Sequence, residues 1–469
     1  MHLDHRVFVL SRKKVMSKDI DVIVIGAGAA GLAASAELGT SGLSVTILEA
    51  RNRIGGRMFT ERDPVSHAPI ELGAEFIHGR PPEIWDLLRK WKVPTTEVDG
   101  ENWCARDGGL DKCNFFSQVE KILEKMDDRS PDESFLSFLK RCCPDSHNPE
   151  QQDAKKRALD YVTGFNAADP DLVGVHWLVK SMRAEEKIEG DRIFRPKSGY
   201  QDLVNILHQK CVDTGVSVQT DTVVEQIKWI SGHAELTTRS LEGSYRIAAP
   251  RVLVTLPLAV LQAPPEEPGA VRFQPALPEE KLKALQDLEM GKVIRIVLRF
   301  RRRFWDNITP GGKSKTLSDM SFLFSEGEWF PTWWTTMPQN LPIITGWAPF
   351  RCAQRLSGQS RQRVVDRSLQ TLGRLLNIEV QELQHLLEAA YFHDWQTDPF
   401  SRGAYSYGKV GSNGAQEALG RPLDNTLFFA GEATDVSGNN GTVHGAIASG
   451  QRAAADILRS LDSRAAKRA

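Results

Sequence analysis

No stretch of the 469 residues approaches the ~20 consecutive apolar positions needed to cross a bilayer, so no membrane contact is expected. Charge of one sign is also missing. The 59 basic and 60 acidic side chains leave a formal net charge of −1, which argues against a polyanion-binding surface and against nucleic acid as a partner. Cysteine is sparse: Cys104, Cys113, Cys142, Cys143, Cys211 and Cys352 form no C-x-x-C pair and no zinc-like spacing. They read as free thiols of a reducing compartment, with Cys142-Cys143 as chance neighbours, and no metal is expected. Internal repeats and low-complexity tracts are absent. The first 18 residues contain only Val7-Phe8-Val9-Leu10 as an apolar run, too short for a signal-peptide core. The C-terminal Ser463 to Ala469 is neither an anchor nor a peroxisomal S-K-L ending. These absences lead to the expectation of a soluble cytoplasmic protein with a ragged leader over 1–18 and a short tail over 461–469.

What remains is an ordinary globular composition, 41% hydrophobic and 25% charged, on a chain longer than one core usually fills, so two domains are expected. The apolar run Ile20 to Ile25 reads as a buried strand and ends in Gly26-Ala27-Gly28-Ala29-Ala30-Gly31, the turn into a helix. A second strand, Ser44 to Leu48, delivers Glu49, 23 positions after Gly26. This is a dinucleotide-binding fingerprint in context. Glycines let the backbone approach a pyrophosphate, the helix N-terminus presents N–H donors, and the acid reaches the ribose hydroxyls. A second glycine loop follows at once, Ala50-Arg51-Asn52-Arg53-Ile54-Gly55-Gly56-Arg57, where Gly56 permits close approach and Arg57 offers a forked phosphate donor.

With this E-A-x-x-R-x-G-G-R block the sequence resembles the FAD-dependent amine oxidases, a family of monoamine oxidases, polyamine oxidases and flavin-dependent histone demethylases. The resemblance implies an α/β (α+β) fold, a Rossmann-type FAD-binding domain with an inserted substrate-binding domain of mixed sheet and helices. Residues 19–80, 195–265 and 391–460 would form the FAD-binding domain, and 81–194 and 266–390 the substrate-binding domain. The same resemblance places Gly73, Ala74, Glu75, Phe76 and Val224 on the cofactor. It identifies Leu427 to Thr434 as a second FAD signature, in which Gly431-Glu432 reaches a ribityl hydroxyl or a pyrophosphate water. Thr442-Val443-His444-Gly445-Ala446 is closest to the polyamine oxidase and demethylase branches, and the N–H groups of Thr442 and Val443 would face the flavin edge. Between Cys352 and the C-terminus no cysteine occurs, so FAD is expected to be non-covalent.

Trp395 to Gly408 resembles a W-x-x-D-P-x-x-x-G-x-Y-x-Y segment, in which Trp395 covers part of the flavin and a tyrosine walls the substrate cage. Tyr405 and Tyr407 share one face of a regular strand, and position in the motif assigns the wall to Tyr407, with Thr442 opposite. Most relatives place a lysine four residues after the glycine at 291; here that position is Arg295, with Lys292 nearby on the opposite strand parity. Arginine cannot act as a base, but it orients a water and stabilises negative charge. His78, in Phe76-Ile77-His78-Gly79, matches a substrate-entrance histidine. Trp333, Trp334 and Trp347 either fill a core or line a funnel. The implied activity is amine oxidation: hydride passes from the carbon next to nitrogen to flavin N5, the imine hydrolyses, and O2 is reduced to H2O2, in a monomer or homodimer. The alternatives are a carbon–carbon desaturase of the same flavin superfamily and an FAD-binding scaffold of low turnover.

Overall fold

The computed structural model describes residues 19–106, 108–144, 148–312 and 315–468. The expected leader, residues 1–18, lies outside them. Val22–Ile25 is a strand with every side chain buried, as a β-branched run at the centre of a parallel sheet should be. It pairs in parallel with Val45–Leu48 on one side and Arg251–Val254 on the other; Ser217–Gln219 and Leu427–Phe429 extend the sheet outward. The pleat divides its side chains between two cores. Val22 and Val24 pack with the helices Ala29–Thr40, Gln201–Asp213 and Val443–Arg468, whereas Ile23 and Ile25 face an antiparallel sheet that includes Val223–Ile230 and His233–Ser240. The final helix runs to Arg468, through the stretch expected as a tail.

A second, seven-stranded sheet runs in the order Leu387–His393, Val293–Phe300, Ile343–Pro349, Thr332–Thr335, Met320–Phe324, Glu101–Arg106, Gly109–Lys112. The stretch from residue 391, expected with the nucleotide half, therefore starts inside this sheet. Likewise residues 81–194 are not only helical but supply the strands Thr95–Glu97, Glu101–Arg106 and Gly109–Lys112.

Val293–Phe300 is buried along its whole length, with two different faces. Ile294, Ile296, Leu298 and Phe300 join the core beneath the helix Arg361–Leu376. Arg295, Val297 and Arg299 point the other way, to the segment 63–75 of the nucleotide half: Arg299 Nε donates to Asp63 Oδ2 at 2.6 Å, and Val297 packs with Ala68, Ile70 and Leu72.

Cys104 and Cys113 form a disulfide across the Glu101–Lys112 hairpin, with Cα atoms 5.7 Å apart. The reading of six free thiols fails for this pair, because the hairpin folds two cysteines nine residues apart onto neighbouring positions. Among the described residues no helix is long and apolar enough to cross a membrane, and no cluster of His, Cys, Asp and Glu could hold a metal.

Candidate active site

The two glycine loops meet above the central strand. A Cβ on Gly31 would lie 2.0 Å from Gly26 O, and one on Gly450 2.3 Å from Ala30 O, so bare glycine is what lets both helices close on the strand end. Gly56 stacks on Gly28, its would-be Cβ 3.3 Å from Gly28 Cα, while the space beside Gly28 itself is open. Glu49, 4% exposed, holds the loops together: Oε2 accepts from Ala27 N at 2.8 Å and Oε1 from Arg51 N at 2.9 Å. Val224 is buried one residue before a bulge in its strand, and Thr222 N donates to Glu49 O at 2.9 Å. A shallow concavity continues along Thr255, Leu256, Gly431 and Arg57. Open backbone at Gly28, a helix N-terminus beside it and an acid at the far end fit a dinucleotide such as FAD.

Several of the predicted residues also brace the protein. The Arg51 guanidinium donates to Asp398 Oδ1 at 2.7 Å and Ser401 Oγ at 3.0 Å. Arg57 Nη1 donates to Ala404 O at 2.6 Å and Glu432 Oε1 at 3.0 Å, and Glu432 Oε2 accepts from Ser406 Oγ and from Gly441 N at 2.9 Å. Glu432 thus ties the Arg57, Ser406 and Gly441 segments together. Ala74 N donates to Arg57 O at 3.1 Å, and a Cβ on Gly73 would stand 1.8 Å from Arg57 O and 3.3 Å from the Trp395 ring. Trp395 is itself pinned by its Nε1–H on Leu72 O at 2.7 Å.

Beyond this cradle a set of aromatic and polar side chains converges, and there Tyr405 keeps accessible surface while Tyr407 is buried. The strand Ser406–Gly408 begins only after Tyr405 and follows Gly403 at φ +152°. Tyr407, 3% exposed, turns into the helical core against Trp177 and accepts from Asp169 N at 3.2 Å. Tyr405 packs over Gly441 and donates to Phe165 O at 2.6 Å. Beside it, Thr442 caps the last helix: its Oγ1 accepts from Gly445 N at 3.0 Å and donates to Asn439 O at 2.7 Å. Val443 opens that helix, and His444 follows, 4% exposed, with Nε2 unpartnered among the described residues. Burial, reinforced by His78, pushes His444 down to about 3, and burial lowers His78 as well, so both rings are neutral at pH 7.

At the inner end Arg295 Nη1 donates to Gly73 O at 2.9 Å and its Nη2 pairs with Glu75 Oε2. Lys292 precedes the strand and is not part of this cluster. Trp333 is core, whereas Trp334, on the opposite parity, donates to Glu75 Oε2 at 3.0 Å. The wall continues through Phe76 to His78 on one side, ring centroids 5.5 Å and 6.2 Å apart in turn. On the other it passes through Trp347, which donates to Gly164 O at 3.1 Å, to Phe165 and Tyr161, stacked at 5.1 Å.

Residues 29–458 match the sequence profile of the family described as flavin containing amine oxidoreductase. The chain belongs to this family. Polyamine oxidase 2 of Arabidopsis thaliana is 27% identical, over 95% of this chain and 89% of its own. Lysine-specific histone demethylase 1 homolog 3 of the same plant is 27% identical over 94% of this chain, and human lysine-specific histone demethylase 2 is 28% identical over 93%. The chain spans only 30% and 53% of those two demethylases. A putrescine oxidase structure with bound putrescine superposes at TM-score 0.76 with 20% identity, covering 94% of this chain and 99% of that one. Cyclohexylamine oxidase from Brevibacterium oxydans IH-35A superposes at 0.75 with 19% identity, covering 95% and 100%. At these identities the structural likeness speaks for the fold. As a flavin-containing amine oxidoreductase the protein uses FAD to oxidise amines, which sets aside the carbon–carbon desaturase.

In this amine oxidoreductase one residue of this region had no sequence signal. Glu185, near the end of the helix Val175–Glu186, keeps accessible surface although it lies deep in the molecule, and its carboxylate has no hydrogen bond or ion pair among the described residues. Burial alone raises it to about 7. Besides burial, Glu185, Glu120 and Tyr405 act electrostatically on Tyr161, so Glu185 lies within its reach. Tyr161 and Tyr405 are themselves pushed well above the usual phenol value by burial, so neither ionises. The region therefore holds a guanidinium, neutral aromatic side chains and an unpaired carboxylate.

Proposed function

We propose that the protein oxidises a diamine or polyamine, with Glu185 holding the ammonium that does not react. The unpartnered carboxylate of Glu185 carries this reading: a buried charge without a partner is unfavourable, and an ammonium from the substrate supplies the missing one. The aromatic walls suit the aliphatic spacer between two nitrogens. FAD, bound in the cradle, supplies the two-electron oxidation of the C–N bond and passes the electrons to O2.

The protein's share is placement. Tyr405 and the methyl of Thr442 flank the path of the amine, Trp395 backs the Gly73 loop, and His78 with His444 offers neutral ring nitrogens that do not repel a cation. Arg295 presents a guanidinium, a group that donates hydrogen bonds and does not serve as a base. The reacting nitrogen has to reach the inner end neutral, its proton left to water on the way, because an ammonium there would face a fixed like charge.

The test is anaerobic titration of the FAD-loaded protein with diamines and with monoamines of equal length, followed by bleaching of the oxidised flavin band. Diamines should bleach at lower concentration, and Glu185→Gln should raise their half-saturation by about tenfold to a hundredfold, the effect of leaving one charge unpaired, with little change for monoamines. Equal response of both classes to the substitution would refute the assignment. Bleaching by no amine at all would return the low-turnover scaffold.

A further inference from the structure

Glu75, expected on the cofactor, has both carboxylate oxygens occupied by the protein. Oε1 accepts from Arg195 Nε at 2.7 Å, and Oε2 accepts from Trp334 Nε1 at 3.0 Å and pairs with Arg295 Nη2. Burial works against the charge, but Arg295 and Arg195 more than offset it and hold the carboxyl below its ordinary range. Arg195 is anchored at its far end as well: Nη1 donates to Met337 O at 2.9 Å, Nη2 to Thr335 O at 3.1 Å, and its face lies 4.6 Å from the centre of the Phe76 ring. Arg295, 5% exposed, has Gly73 O on Nη1 and Glu75 on Nη2. Its remaining edge is different. The Nε–H is buried and has no partner among the described residues.

Two fixed acceptors define the plane of a guanidinium. With that plane fixed, the unpartnered Nε–H is a donor with one direction, held beside the Gly73–Phe76 segment that the cofactor reading assigns to FAD. We propose that Glu75 is a positioning residue: it locks the Arg295 guanidinium so that its free Nε–H serves the ring end of the cofactor site. The pole so formed sets two guanidinium charges against the Glu75 carboxylate, and Glu71, which burial raises to about 7, lies within the field of Arg295 and Glu75. Negative charge at that end of the site is what such a donor stabilises. The proposal rests on the family's cofactor and not on the part given to Glu185.

Sulfite, an anion that bleaches oxidised flavin by adding to its ring, separates position from charge. The FAD-loaded protein and its Glu75→Gln variant are titrated with sulfite at constant ionic strength. If only net charge mattered, removing a carboxylate would tighten sulfite. If Glu75 positions Arg295, the variant weakens sulfite about tenfold despite its extra positive charge, and Glu75→Gln with Arg295→Lys together weaken it no more than the stronger single change. Tightening, or weakening by less than threefold, overturns the proposal. Should Glu75→Gln not retain FAD, Trp334→Phe, which takes one donor from Glu75 and no charge from the site, is read by the same threefold line.

Discussion

Replacing Glu185 by glutamine should make the protein more stable and, toward diamines, a poorer enzyme. Its carboxyl is displaced from 4.5 to about 7 by burial, which at ~1.36 kcal/mol per pH unit corresponds to at most ~3 kcal/mol. The side chain keeps accessible surface, and solvent screening there reduces this to roughly 1–2 kcal/mol. The direction follows from linkage. Below about pH 4.5 the carboxyl is protonated in folded and unfolded chains alike, and the substitution gains nothing. Between 4.5 and 7 the unfolded chain ionises first, so wild-type stability falls as pH rises; above 7 the loss is complete. The Tm of Glu185→Gln should therefore match wild type near pH 4.5 and exceed it by about 1–2 °C at pH 8, given the length of the chain. Thermal melts of both proteins across that range, without amine, measure the gap. A gap independent of pH, or of opposite sign, would refute the claim that this carboxylate lacks a partner.

Three further outcomes follow from other parts of the fold. Asp63 is fully buried, and against the penalty of burial the Ser66 backbone, Tyr391 and Arg299 hold it well below the usual carboxylate range; Asp63→Asn leaves Arg299 with Glu388 alone and should cost about 1.5–3 kcal/mol in urea unfolding at pH 7, the worth of a hydrogen bond to a charged group, and a loss under 1 kcal/mol would count against a buried pair. Gly31→Ala puts a methyl 2.0 Å from Gly26 O, so the purified variant should be colourless where wild type is yellow; retention of full flavin absorbance would show that the helix can shift. Protein purified without reductant and then denatured should react with a thiol reagent at four cysteines, rising to six after reduction, because Cys104 and Cys113 are paired; six at the outset would contradict the disulfide.

The nucleotide cradle was readable because each of its parts is local. A β-branched run, glycines whose missing Cβ can be checked one by one, and an acid at a fixed distance need no knowledge of the rest of the chain. Arg295 was named from its place four residues after Gly291, and strand parity added only that Lys292 cannot share its face. Tyr407 was named from its position in the motif, since parity could not separate it from Tyr405; its burial against Trp177, a partner from a distant helix, is what spacing does not encode. Glu75 and Glu432 sit in the right motifs, yet their partners Arg195, Trp334, Ser406 and Gly441 come from distant segments, so their bracing role appears only in three dimensions. Glu185 lies at the opposite extreme. Its significance is that nothing pairs with it, and no spacing in a sequence encodes the lack of a neighbour.

Arg295 and Arg299 leave the same face of one strand and end on carboxylates of the other half, Glu75 and Asp63. A greasy seam can slide; a seam of directional ionic contacts has a single alignment. The halves should then behave as one block rather than as jaws, and amines would be sorted by whether their length and girth let them thread a rigid passage. X-ray scattering with and without a diamine would report no compaction if that is so.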